Sequence, residues 1–262
     1  MALKYILPNF YDSFFCNLTL AERLLKTKNI CGVSGTFPFS IFNGSYNNMG
    51  KENVCVYENM HNAIEGYGGL LSNMIIIDYG NPFLETFDYK DLYNKVILEE
   101  FGEKPNIYFT ISDLEFANYL IEHYPMIQLI LHQNYTREHT FTEIQEVLNK
   151  YANIKGIITS SFNMCSKIKN VFKIYLLPLH NCEECTQYKK CVEYDNKATL
   201  EFSEKSQFSQ CQMRELVFPE IIAKRIDFIK DSCDYIMFDT VIAQKELEEY
   251  VLIEEVLKIA EE

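Results

Sequence analysis

No apolar run among the 262 residues reaches the roughly 18 needed to cross a bilayer. The N-terminal stretch MALKYILPNFYDSFF has neither a basic segment leading into an apolar one nor a small-residue cleavage site. The expectation is a cytoplasmic protein that makes no use of a membrane. Basic residues are scarce too: 24 Lys and Arg stand against 37 Asp and Glu, a formal net charge of -13, and the cations are scattered along the chain. That argues against a broad nucleic-acid or anionic-membrane surface and leaves room only for a local basic pocket. Also missing are the GxGxxG turn of dinucleotide folds, the GxxxxGK(S/T) phosphate loop and the CxxxCxxC signature of standard radical S-adenosylmethionine enzymes. A nucleophile elbow, a defensible carboxylate pair and a His-x3-His metal pair are absent as well, which removes the required groups of serine hydrolases, glycosidases and zinc proteases.

What is present is a globular composition, 48% hydrophobic and 23% charged, with enough apolar surface to offset the chain entropy lost on folding. Eight short apolar runs alternate with longer stretches of helical period, the pattern of parallel strands joined by crossover helices. The runs are Lys4 to Leu7, Ile30 to Ser34, Met74 to Ile77, Asn106 to Thr110, Gln128 to Leu131, Ile154 to Thr159, Phe172 to Leu177 and Asp234 to Phe238. Between them lie amphipathic segments such as DLEFANYLIEHY, in which Leu114, Ala117, Leu120 and Ile121 share one face and Ser112 and Asp113 read as its N-cap. Eight such pairs in about the length of one α/β barrel predict a single (βα)8 TIM-barrel-like domain over residues 1–262.

The chain has nine cysteines, and in a reducing compartment these are thiols or metal ligands rather than disulfides. Four of them follow the seventh strand as C-x2-C-x5-C-x19-C: Cys182, Cys185, Cys191 and Cys211, within an insertion spanning 178–212. A C-x2-C pair turns two thiolates to one side, so the four can converge on one centre. A 4Fe-4S cluster is the first reading. Zinc is the second, although structural zinc usually takes two C-x2-C knuckles and here the second pair is opened to nineteen intervening residues. Free thiols are the third, and these prefer apolar burial to a loop crowded with Glu, Lys, Gln and Ser. His180, two residues before the first thiol, reads as a strand-end cap or as a ligand or hydrogen-bond donor to a sulfur. Cys16, Cys31, Cys55, Cys165 and Cys233 lie singly on apolar faces and read as packing residues.

In α/β barrels reactive groups gather where strands end, because that rim brings distant segments into one mouth. The fifth strand ends in LHQNYT and delivers His132, the best candidate for proton transfer, together with Asn134. Asn43, in the loop after the second strand, either contacts a ligand or belongs to a loop that closes the mouth. Asp78 and Asn81 follow the third strand, Asn81 being equally a turn initiator before Pro82. Ser160 and Asp239 complete a ring suited to a polar small ligand. The C-terminal helix EEYVLIEEVLKIAEE reads as part of the outer ring or as a surface for a protein partner.

The strand LLPLHNC running directly into a cysteine-rich insertion resembles the collagenase-like peptidase family. FPFSIFNG, IIIDYGNPFLE and ISDLEFANYLIEHYP look like segments of uncharacterised bacterial and phage barrel proteins. The resemblance implies a barrel whose four cysteines hold a four-iron four-sulfur cluster. It also implies oxygen-independent hydroxylation or another redox modification of a small molecule or nucleobase, with electrons supplied by a donor partner. The competing expectation is a binding or accessory barrel in which zinc only fastens the loop.

Overall fold

The computed structural model describes residues 3–8, 23–24, 26–27, 29–35, 74–77, 98–179, 216–239 and 246–261. The eight apolar runs are eight strands: β1 (Lys4–Leu7), β2 (Ile30–Gly35), β3 (Met74–Ile77), β4 (Ile107–Ile111), β5 (Leu129–Leu131), β6 (Ile154–Thr159), β7 (Phe172–Pro178) and β8 (Tyr235–Asp239). Each pairs in parallel with its sequence neighbour, and β8 closes on β1 through Lys4 with Tyr235, Tyr5 with Ile236 and Ile6 with Met237. The result is a closed eight-stranded parallel barrel with helices between strands, as the sequence predicts.

Several boundaries move by one residue, for a reason visible in the ladder. Asn106 and Gln128, expected as strand residues, offer only their carbonyls to the neighbouring strand, accepting from Ile75 and Phe109 at 2.9 Å. Asp234 stands just outside β8; its amide donates to the Lys173 carbonyl at 2.9 Å and its Oδ2 accepts from the Lys173 amide at 2.8 Å.

The described helices are α1 (Leu114–His123), α2 (Gln133–Glu138), α3 (Phe141–Lys150), α4 (Phe162–Lys167), α5 (Pro219–Ile229) and α6 (Glu246–Glu261). Asp113 caps α1 as expected, its Oδ1 accepting from the Glu115 amide at 2.8 Å. The buried face of α1 is Phe116, Ala117 and Leu120, whereas Leu114 and Ile121 are only half-buried at its edge. The inward arc is therefore rotated from the expected stripe so that the largest ring, Phe116, takes its centre. Helix α3 starts with a reciprocal cap between Thr140 and Glu143. Pro219, the first residue of α5, has no amide hydrogen to leave unsatisfied.

Two apolar layers result from strand alternation. Outside the sheet, Val33, Ile75, Phe109, Leu129, Leu131, Ile157, Ile236 and Phe238 meet the helices. Inside it, Ile6, Met74, Ile76, Ile130, Ile158, Ile174, Leu176 and Met237 fill the barrel. Near the strand starts the interior is stoppered by rings. Phe172 meets Tyr108 edge-on at 5.4 Å and Tyr235 at 5.7 Å, and the Lys4 ammonium stands 5.9 Å from the Tyr235 centroid. Gly156, paired with Phe172 across the β6–β7 ladder, makes this possible, because a Cβ there would lie 2.1 Å from the Phe172 ring.

Candidate functional site at the strand C-termini

With the N-terminal end filled by rings, the polar groups lie toward the other end. Thr110 and Ser34 are buried near the ends of β4 and β2. By alternation with Met237, which packs inside the barrel, Asp239 faces the interior at the end of β8, half-buried and in register with Pro178 of β7.

His132 directly follows β5, and its amide donates to the Ile111 carbonyl at 2.8 Å, which ties it to β4. Its ring turns back as the N-cap of α2, Nδ1 accepting from the Asn134 amide at 3.2 Å. That bond determines the tautomer: Nδ1 carries no proton, so Nε2 does. Held this way the neutral imidazole keeps an Nε2–H to donate, whereas taking up a proton at Nδ1 would first require the cap bond to break.

Helix α2 leaves no helical signature in the sequence, because its six residues are too few to show a period. It is seated across the end of β6 by Thr136, whose Oγ1 donates to the Ile158 carbonyl at 2.8 Å. Its first turn carries two carboxamides. Asn134 is 7% exposed, and its side-chain amide has no hydrogen-bond partner among the described residues. Beside it Gln133 Oε1 is shielded from solvent and likewise unpartnered. Gln133 was not among the expected site residues; its signal was adjacency to His132 and Asn134, which is weak without knowledge of burial.

Of the other expected residues, Ser160 is exposed at the end of β6, where the neighbouring Ser161 caps α4 through its Oγ and the Met164 amide at 3.3 Å. Asn43, Asp78, Asn81, His180 and the four cysteines Cys182, Cys185, Cys191 and Cys211 lie outside the described residues. The ends of the cysteine insertion are described, however. The chain leaves β7 at Leu179 and returns at Val217, and the Val217 amide donates to the Leu179 carbonyl at 2.9 Å. The two ends of the insertion are thus hydrogen-bonded to each other at the C-terminal end of β7. Cys182 is three residues from this bonded pair and Cys211 six, so extended chain can separate them from it by at most about 11 and 22 Å.

The isolated cysteines that are described behave as packing groups. Cys31 and Cys165 are buried and Cys233 is half-buried, all as free thiols. Burial is the main cause that raises their pKa values, to about 11 for Cys31, about 12 for Cys165 and about 11 for Cys233. Cys16 and Cys55 lie outside the described residues.

Comparison with protein-family models, with curated proteins and with solved structures finds no match to this chain. No helix among the described residues is long and apolar enough to cross a membrane. No group of three His, Cys, Asp or Glu side chains among the described residues is placed to hold a metal ion. The functional reading therefore rests on the residues themselves.

Proposed function

We propose that this barrel is an iron-sulfur protein, a redox or oxygen-independent hydroxylating enzyme of the kind found in the collagenase-like peptidase family. It would act on a polar small molecule or nucleobase at the C-terminal mouth. The observation that carries the reading is the bond between the ends of the insertion, in which the Val217 amide meets the Leu179 carbonyl at 2.9 Å. A C-x2-C-x5-C-x19-C segment closed at its base keeps its first and last thiols on short tethers from one point, which lowers the entropy cost of gathering all four. The donor set fits a 4Fe-4S cluster, which takes four cysteine thiolates. When bound, such a group supplies one-electron transfer.

The chain's own contribution is position. Strand β7 leads into the insertion at the rim on which Asp239, His132 and Asn134 also lie, which supports a reading in which ligand and metal centre share one end of the barrel. The reaction also needs a redox partner: an electron donor if the substrate is reduced, an electron acceptor or oxygen-atom donor if it is hydroxylated. In this scheme His132 orients the first turn of α2 and so the Asn134 carboxamide; Asn43, Asp78, Asn81 and Ser160 are further candidates for ligand contact.

The test is anaerobic purification with iron, sulfide and zinc analysis and a visible spectrum, repeated on Cys182→Ala/Cys185→Ala. Broad charge-transfer absorption with about four irons per chain, lost in the double variant, is expected. Stoichiometric zinc without iron would overturn the redox reading and leave a barrel whose metal pins a loop.

A further inference from the structure

Helix α5 is apolar on two faces. Ile222, Ala223, Ile226 and Ile229 are buried, as an outer-ring helix requires. The opposite face should be polar, yet Phe218 at the N-cap and Phe228 are 71% and 69% exposed, and Ile221 is exposed as well. The Phe162 ring of α4 meets Phe228 at 4.8 Å and extends the patch. Helix α6 packs beside α5 and repeats the pattern more weakly: Tyr250, Leu252, Ile253, Val256 and Leu257 are buried, while Val251 and Ile259 are exposed. Exposed apolar residues scattered singly are ordinary, but a grouped set that includes two phenylalanine rings marks an interaction surface.

We infer that this face is the interface of a twofold dimer in which α5 of one copy lies parallel to α6 of the other. Charge complementarity selects a second copy as the occupant. Helix α5 with its C-cap Lys230 carries three cations against two acids, net +1, whereas α6 carries six Glu against one Lys, net -5. Lys224 and Arg225 on α5 and the exposed Glu248 and Glu255 on α6 enter no ion pair among the described residues. A twofold axis through the face has two ways to run. Across the helices, it sets α5 on its own copy and α6 on its own copy, which brings six glutamates against six. Along the helices and between them, it sets α5 on the partner's α6 twice over, so each acidic helix meets the cationic one. The spacing agrees with the second arrangement. Phe218, Ile221, Arg225 and Phe228 stand at i, i+3, i+7 and i+10, and so, thirty residues on, do Glu248, Val251, Glu255 and Lys258, the spacing of a helix-pair seam. In that register Ile221 faces Val251, Arg225 faces Glu255, and the Phe228 ring faces Lys258 with Ile259 beside it. The inference does not depend on the metal or on the reaction at the mouth.

The test is sedimentation equilibrium of the full chain at micromolar concentrations. The parent should sediment at twice the 30.8 kDa mass of one chain. Ile221→Asp/Phe228→Asp should be monomeric with the circular dichroism of the parent, since both side chains are exposed and their loss leaves the barrel core intact. Arg225→Glu and Glu255→Arg should each raise the dissociation constant at least about tenfold, because each sets like charges together at two symmetric places. Arg225→Glu/Glu255→Arg should bring it back to within about threefold of the parent, because the pair is then reversed rather than broken. A monomeric parent would overturn the inference and leave the face to some other occupant. A dimer that survives Ile221→Asp/Phe228→Asp would overturn it by placing the interface elsewhere. A double charge variant that dimerises no better than the single ones would overturn the pairing of α5 with the partner's α6.

Discussion

Substituting Gly156 by alanine tests the barrel interior most directly. A Cβ at Gly156 would sit 2.1, 2.4 and 2.6 Å from Cε2, Cδ2 and Cζ of Phe172, distances no real Cβ tolerates, so the ring must move. It cannot move without loss, because it makes edge-on contacts with both Tyr108 and Tyr235. Overpacking typically costs roughly 1–3 kcal/mol. Each broken ring pair adds about 0.5–1.5 kcal/mol. Against this, replacing glycine by alanine lowers the entropy of the unfolded chain, a gain of about 0.4–1 kcal/mol. The balance is a loss of about 2–4 kcal/mol, read as a lower midpoint in urea at unchanged slope. In a Phe172→Ala background the clash is gone, and Gly156→Ala should become neutral or stabilising by about 0.4–1 kcal/mol. The double-mutant cycle should therefore show a coupling of more than about 2 kcal/mol. A Gly156→Ala loss of the same size in both backgrounds would refute the reasoning, because the cost would then not come from this ring.

Two other predictions concern titration. Glu143 accepts from the Thr140 amide at 2.7 Å and the Thr140 hydroxyl at 2.8 Å, and these bonds hold its carboxyl below the ordinary value of 4.5. A carboxylate whose folded pKa is depressed stabilises the fold above its unfolded value and loses that contribution as pH falls through the folded one. Urea midpoints between neutral pH and about pH 3 should accordingly fall less steeply in Glu143→Gln than in the parent, and identical slopes would show that the cap bonds do not form. The buried thiols titrate with the opposite sign: raised to about 11 for Cys31 and about 12 for Cys165, they favour the fold below the ordinary value of 9.0, and that stability is lost as pH climbs toward those raised values. Under native conditions near pH 8, iodoacetamide should leave Cys31 and Cys165 unmodified while labelling both after unfolding, as read by peptide mass spectrometry. Rapid native labelling of Cys165 would contradict its burial.

The architecture was legible because it depends on local pattern. Runs such as MIII, LIL and IKGIIT are too short and too β-branched for helices, and stretches such as FTEIQEVLNK bury residues only at helical spacing. Eight alternations of the two have few solutions that hide every apolar face. The Asp113 cap was legible for the same reason, since a cap bonds to an amide two residues on. The cysteine spacing, too, is a property of the linear chain.

Closure of β8 onto β1 joins residues more than two hundred positions apart, so only the tertiary structure decided it. The same holds for the Phe172 ring over Gly156 and for the return of Val217 to Leu179, since strand register and chain return do not follow from local periodicity. The site shows the division most clearly. A sequence can place His132 and Asn134 after a strand, but the burial of Asn134 as a residue, the unpartnered Gln133 oxygen and the bond that makes His132 a cap depend on which groups surround them in space. Residue type determined which chemistry each side chain can perform; packing decided which of those capacities is already engaged within the fold.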